Sequence, residues 1–229
     1  MVCLVCAIVV SSAAVALKPM QDTNIERDRQ MNILAAAGLL DPDLSIEEQF
    51  ESVQTFVVDL RTGEYTDDVD PASFSDLETD DIAKIGRRED YSVVYLIDDE
   101  NGNLDKVILP VRGYGLWSTM QGFVALENDL NTVAGIGFFA HGETPGLGGE
   151  IDNPSWKAIW PGKEVYRDGV ETLSVIKGVV PASSANAEYQ IDGLAGATLT
   201  TKGVDNLVKF WLGEEGFRPY LEKLAAGEA

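Results

Sequence analysis

Tyr189-Gln190-Ile191-Asp192-Gly193-Leu194-Ala195-Gly196-Ala197-Thr198-Leu199-Thr200 joins a short strand, Tyr189 to Ile191, to a strongly patterned helix. Beyond Thr200 the apolar residues Val204, Leu207, Val208, Trp211 and Leu212 fall at i, i+3, i+4, i+7 and i+8. That is the stripe of a helix lying on a core, and Gly213 ends it. Small and hydroxyl-bearing residues fill the joint. The first N–H groups of a helix lack intrahelical partners and its dipole favours negative charge there. Glycine lets the backbone come close to a ligand. The residues alone point to an anion site suited to a phosphate-bearing cofactor. A lone Gly-Ala-Thr triplet is also an ordinary tight turn between a strand and a helix.

Working outward, the chain alternates strands with turn signals. Thr55 to Leu60 reads as a strand ended by Thr62-Gly63. Ser92 to Ile97 and Lys106 to Pro110 flank Asn101-Gly102, a hairpin signal. Gly122 to Glu127 and Thr132 to Ala140 form a second pair around Asn128 to Asn131, and Glu171 to Lys177 is a further strand. Ser45-Ile46-Glu47-Glu48 is a capping box that opens a short helix. A last helix starts near Pro219. Hairpin connections with helices at the ends define an α+β fold, mostly antiparallel sheet with packed helices. Asp67 to Arg88 is acidic and without period, and reads as loop and short helix.

The second site-like stretch is His141-Gly142-Glu143-Thr144-Pro145-Gly146-Leu147-Gly148-Gly149-Glu150. Four glycines in ten residues mark a backbone that turns sharply or passes close to something. It lacks the lysine of a phosphate-cradling P-loop. It holds the one histidine of the chain, read as a structural or second-layer residue. Glu143 has a bland alternative as a surface carboxylate.

Composition sets outer bounds. The chain has 229 residues, 38 acidic against 17 basic, for a net charge of −21. Nucleic acid is excluded as a partner, since phosphate backbones call for a basic surface. Met1 to Leu17 carries no charged side chain and sits at the short end of a bilayer span. A retained membrane anchor is the reading preferred over a cleaved signal peptide, which would want a basic lead. Residues 1–18 are therefore assigned to one N-terminal transmembrane helix, 19–44 to a juxtamembrane helix and linker, and 45–229 to a soluble domain. Thr23 to Leu39 reads as the helix leaving the membrane. Both cysteines, Cys3 and Cys6, lie in the apolar segment, so the soluble part has no thiol chemistry. A single histidine leaves hydrolytic triads without support.

The joint at 192–200 resembles the flavinylation motif Asp-Gly-x-(Ser/Thr)-Gly-Ala-Thr-x-(Ser/Thr) of the FMN subunits of sodium-translocating NADH:quinone oxidoreductases and of the related Rnf complexes. One position departs, Ala195, where the family has a hydroxyl. The glycine-rich stretch is similar to the His-x-Glu-Thr-Pro-Gly-Leu-Gly loop of the same subunits. Leu17-Lys18-Pro19, Asp28-Arg29-Gln30 and Asn32-Ile33-Leu34 resemble the juxtamembrane stretch of the quinone reductase's FMN subunit. Phe210-Trp211-Leu212-Gly213 through Phe217 to Leu221 resembles its carboxyl end.

The resemblance implies an FMN-binding domain with FMN joined covalently by a phosphoester to Thr198. It implies Glu143, Thr144, Leu147 and Lys177 as flavin contacts, with Gly196, Ala197, Leu199 and Thr200 around the phosphate. No catalytic triad and no metal ligand is implied. The chain would be an electron-carrying subunit that does not run the whole reaction alone. Its partners would be the other subunits of a membrane respiratory complex that couples NADH oxidation and quinone reduction to sodium export, and a flavin transferase using FAD. The resemblance places the soluble domain on the periplasmic side of the bacterial inner membrane. Counting positive charges (Lys18, Arg27 and Arg29 all follow the apolar run) gives the opposite orientation. The basic lead usual in the family is not in this sequence, which either begins late or has lost it. The alternatives are the flavin subunit of an Rnf-type ferredoxin-linked complex, or a membrane-anchored assembly module without redox chemistry.

Overall fold

The computed structural model describes residues 2–70, 72–77 and 81–229. Parts of the acidic stretch from Asp67 to Arg88, namely 71 and 78–80, lie outside the described residues, as does Met1. The chain opens with α1 (Val2–Ala36) and α2 (Ile46–Phe50). Strands β1 (Val53–Asp59), β2 (Glu64–Tyr65), β3 (Phe74–Asp76), β4 (Arg87–Glu89), β5 (Tyr91–Asp98), β6 (Leu104–Tyr114), β7 (Thr119–Glu127) and β8 (Val133–Ala140) follow. After these come α3 (Pro154–Lys157), β9 (Tyr166–Arg167), β10 (Val170–Glu171), β11 (Ser174–Val175), β12 (Gln190–Ile191), α4 (Thr198–Trp211) and α5 (Arg218–Ala226).

The central sheet runs β2-β1-β5-β6-β7-β8, with neighbours antiparallel throughout. The α+β expectation holds, and its hairpins lie where the turn residues placed them. Asn101-Gly102 sits in a five-residue loop rather than a two-residue turn, because the Asp99 side chain accepts the Asn101 and Asn103 N–H groups and closes the wider turn. Three expectations change. The acidic stretch from Asp67 to Arg88 holds no helix among the described residues and instead supplies β3 and the start of β4, which pair antiparallel. Glu171 to Lys177 is not one strand. It divides into β10, which folds back on β9, and β11, which pairs in parallel with β12. The patterned helix begins at Thr198, not after Thr200.

α4 and α5 cover one face of the sheet. Val204, Leu207, Val208, Phe210, Trp211, Leu212, Tyr220 and Leu221 join the main core with Val107, Leu109, Val111 and Val124. The Trp211 indole donates to the Arg112 carbonyl at 2.7 Å, which seats the helix on β6. The opposite face is covered in part by the last turns of α1, where Ile33, Ala36 and Ala37 pack on Tyr95, Ile97, Ile108, Phe123 and Ala125. Burying an Ile side chain contributes about 1.5–3 kcal/mol, as an upper bound. α1 is one helix through Pro19, so residue 18 is no break in secondary structure. Its first half has the length and apolarity of a membrane span and is not buried in the protein. The Ser45 capping box forms as expected: its hydroxyl accepts the Glu48 N–H, and the Glu48 carboxylate accepts the Ser45 N–H.

Sheet register positions the site. Tyr114 pairs with Thr119 at the β6–β7 turn, and Gln121 pairs with Ala140 at the end of β8. The turn at 115–118 and the loop that starts at His141 therefore leave the sheet side by side.

Candidate functional site

Most residues of the 192–197 joint have a local reason to be there. The Asp192 carbonyl accepts the Trp156 indole N–H at 2.8 Å, and its carboxylate accepts the Val180 N–H at 2.7 Å. Gly193 runs so close to the parallel strand pair that a Cβ would collide with the Ile176 carbonyl oxygen. Its N–H donates to the Gly178 carbonyl at 2.7 Å, which brings exposed Lys177 beside the joint. Leu194 is buried, and its N–H donates to the Thr201 hydroxyl at 2.9 Å. Gly196 takes the left-handed backbone at φ +74°, which favours glycine. Ala195, at the position where the motif has a hydroxyl, is exposed.

Ala197 caps α4 without a side-chain bond. The first bond of the helix runs from the Thr201 N–H to the Ala197 carbonyl at 2.9 Å. The amides of Thr198, Leu199 and Thr200 thus precede the ladder and have no acceptor within it, the arrangement that receives a phosphate. Thr198 and Leu199 are exposed. Thr200 is fully buried, and its hydroxyl donates to Glu143 Oε2 at 2.6 Å.

The glycine-rich loop meets this helix start directly. A Cβ on Gly196 would stand 3.1 Å from Leu147 Cδ2, so the exposed Leu147 side chain lies over the joint. Thr144 is exposed, and its carbonyl accepts the Leu147 and Gly149 N–H groups at 3.1 and 2.9 Å, closing the turn. His141 holds the loop base: Nε2 bonds to Asp152 at 2.7 Å and Nδ1 accepts the Glu143 N–H at 3.2 Å. That geometry gives the histidine a structural place.

Glu143 is not a surface carboxylate. It is 5% exposed and turned inward. Oε1 accepts the N–H groups of Leu116, Trp117 and Ser118 at 3.0, 2.9 and 3.3 Å. Burial pushes its carboxyl up, but the Thr200 hydroxyl and these amides outweigh it and hold it below the usual carboxylate range.

The structure thus brings Glu143, Leu147, Lys177, Gly196, Ala197, Thr198, Leu199 and Thr200 to one place, with Thr144 in the adjoining turn. Glu143 and Thr200 face each other in the interior, while Thr144, Leu147, Lys177, Thr198 and Leu199 are on the surface. A residue missed from the sequence is Trp117, 66% exposed, held on the same surface through Glu143. The signal was available. Gly115-Leu116-Trp117-Ser118 is a hairpin turn with two large apolar residues where polar turn residues normally sit. The group fits a flavin nucleotide: an exposed hydroxyl on an uncapped helix start for the phosphate, and exposed Trp117, Leu147 and Leu199 as an apolar surface for a ring.

The fold and this surface define the class. The FMN-binding domain family matches residues 115–213, from the Trp117 turn to the end of α4. A protein of Pseudomonas aeruginosa, named as the C subunit of Na(+)-translocating NADH-quinone reductase, is 52% identical, over 100% of this chain and 94% of its own length. The protein of the same name from Vibrio alginolyticus is 44% identical over 98% of this chain and 92% of its own. The crystal structure of Shewanella oneidensis NqrC superposes with a TM-score of 0.78 at 34% identity, covering 87% of this chain and 98% of that one. The chain belongs to the NqrC family, the C subunits of the Na(+)-translocating NADH-quinone reductases, which are oxidoreductase complexes. The Rnf-type alternative gives way, because the match extends over the whole chain, both terminal segments included.

Proposed function

We propose that the chain is the flavin-carrying, electron-relaying subunit of a sodium-translocating NADH:quinone reductase, with FMN held as a phosphoester on Thr198. One observation carries the attachment. Three threonine hydroxyls lie at the start of α4, and the fold occupies two of them. Thr200 is buried against Glu143, and Thr201 is buried and accepts the Leu194 N–H. Thr198 alone is exposed, one residue into an uncapped helix whose free amides favour the phosphate charge. A flavin transferase would join Thr198 Oγ1 to the FMN phosphorus of FAD. AMP would leave and the hydroxyl proton pass to solvent.

The flavin supplies the electron transfer. The protein anchors its phosphate at the helix start, supports the ring on an apolar surface, and leaves the opposite side open to neighbouring carriers. Thr144, Leu147 and Lys177 are the ring-side residues of this reading, with Trp117 added. The first half of α1 anchors the subunit in the membrane, with the soluble domain on the periplasmic side. NADH oxidation, quinone reduction and sodium export belong to the assembled complex.

The test is the intact mass of the chain made with the transferase. Wild type should gain the mass of one FMN and keep its colour after acid denaturation, and Thr198→Ala should lose both while its thermal unfolding stays unchanged. A wild-type chain without added mass, or a modified Thr198→Ala chain, refutes the assignment and leaves an assembly module without redox chemistry.

A further inference from the structure

Glu143 bridges three segments that are distant in sequence. Its backbone belongs to the glycine-rich loop. Oε1 collects the amides of the 115–118 turn, and Oε2 takes the Thr200 hydroxyl from the first turn of α4. The surroundings are cut to fit this one carboxylate. A Cβ on Gly115 would stand 2.6 Å from Oε1. A Cβ on Gly148 would stand 2.6 Å from Oε2 and 2.5 Å from Thr200 Oγ1. Ser118, whose N–H is the third donor, also accepts the Gly142 N–H on its hydroxyl at 2.5 Å, a second tie between the same two loops. The turn so held carries Trp117 outward, and the helix turn so held presents Thr198 outward.

We propose that Glu143 and Thr200 are positioning residues: a buried carboxylate–hydroxyl staple that sets Trp117, Leu147 and Thr198 into one preformed platform for the flavin, without touching the flavin itself. This differs from a role for either side chain as a cofactor ligand. Both polar ends point inward, and every oxygen of the pair has a partner within the protein. A charge-assisted bond is stronger than a neutral one, and a buried amide left without an acceptor is costly. One carboxylate therefore suffices to order a four-residue turn that has little core of its own. The proposal rests on the flavin reading for its purpose, but the staple can be measured without flavin.

The experiment uses the full-length chain in detergent, made with and without the transferase, as wild type, Glu143→Ala, Glu143→Gln and Thr200→Val. In unmodified protein, Glu143→Ala should speed hydrogen exchange of the 116–118 amides by at least about 10-fold, while the β7 amides at 122–126 keep their rates. Glu143→Gln should stay within about 3-fold, since its carbonyl can accept the three N–H groups and its amide can donate to Thr200 Oγ1. With the transferase present, FMN loading should fall about 10-fold in Glu143→Ala and recover in Glu143→Gln, and the visible circular dichroism of the loaded Gln variant should match wild type. Unchanged 116–118 exchange in Glu143→Ala overturns the staple. So does an altered flavin spectrum in Glu143→Gln with native exchange, because the carboxylate would then act on the ring directly. Should Glu143→Ala fail to fold, Thr200→Val, which keeps the side-chain shape, must show the loss of loading, and full loading there refutes the proposal. If wild type gains no FMN mass, the flavin reading falls while the exchange measurement still decides the staple.

Discussion

Glu171→Gln should stabilise the protein at pH 8 and leave it nearly unchanged at pH 5. Glu171 lies in β10, and its Oε1 is buried without a hydrogen-bond partner among the described residues. Burial is the main reason its carboxyl is pushed from 4.5 up to about 7. Lys209 pulls it down and Asp205 pushes it further up. The sign follows from proton binding. Below pH 4.5 both folded and unfolded chains are protonated, and the site contributes no difference. Between 4.5 and about 7 the unfolded chain ionises while the folded one resists, so stability falls as pH rises. Above 7 the penalty is constant. The gap between the two values corresponds to about 3 kcal/mol, and screening of the partly exposed side chain reduces that to about 1–3 kcal/mol. For a domain of this size the gain from the substitution is about 2–10 °C in Tm. Thermal unfolding of both chains at pH 5, 6, 7 and 8 reads the difference directly and cancels the effect of the large net charge. Parallel curves, with the Gln variant no better at pH 8 than at pH 5, would refute the buried-carboxylate account.

Three further outcomes follow from the packing. Gly135→Ala should destabilise by about 1–3 kcal/mol, because its Cβ would collide with the Ala36 carbonyl oxygen where α1 seats on β8; Gly137→Ala, whose Cβ would stand 3.7 Å from Ala36 Cβ, should be close to neutral, and equal Tm values for the two would count against this docking. Gly196→Ala meets both a φ of +74° and Leu147, so it should cost about 1–2 kcal/mol and lower FMN loading in the intact-mass assay, while wild-type loading would remove the contact from the site. Glu143 has the opposite sign to Glu171. Its lowered pKa contributes stability that is present above its unfolded value and lost as pH falls through the folded one, so the Tm advantage of wild type over Glu143→Gln should shrink from pH 6 to pH 3. A constant advantage across that range would contradict the ion-specific bonds.

Local pattern settled much of this protein from its sequence alone. The apolar spacing from Val204 to Leu212 made α4 a core helix, Ser45 to Glu48 made a capped helix start, and the uncharged run to Leu17 set apart a segment with the length of a membrane span. Period and capping act within one or two helical turns, so one sequence window contains all the residues concerned. The Asp192–Thr200 joint showed a strand-to-helix start for the same reason. What the tertiary structure alone decided involves pairs far apart in the chain. The Glu171–Lys177 stretch divides because Val175 pairs in parallel with Ile191, which no local propensity specifies. Glu143 turns inward because its partners at 116–118 and 200 arrive by strand register and helix packing, and a carboxylate's burial cannot be read from its neighbours in sequence. Thr198 differs from Thr200 and Thr201 for that same reason: the three share a composition and a helix end, and only the packing of α4 on the sheet sends two of them inside and leaves one at the surface.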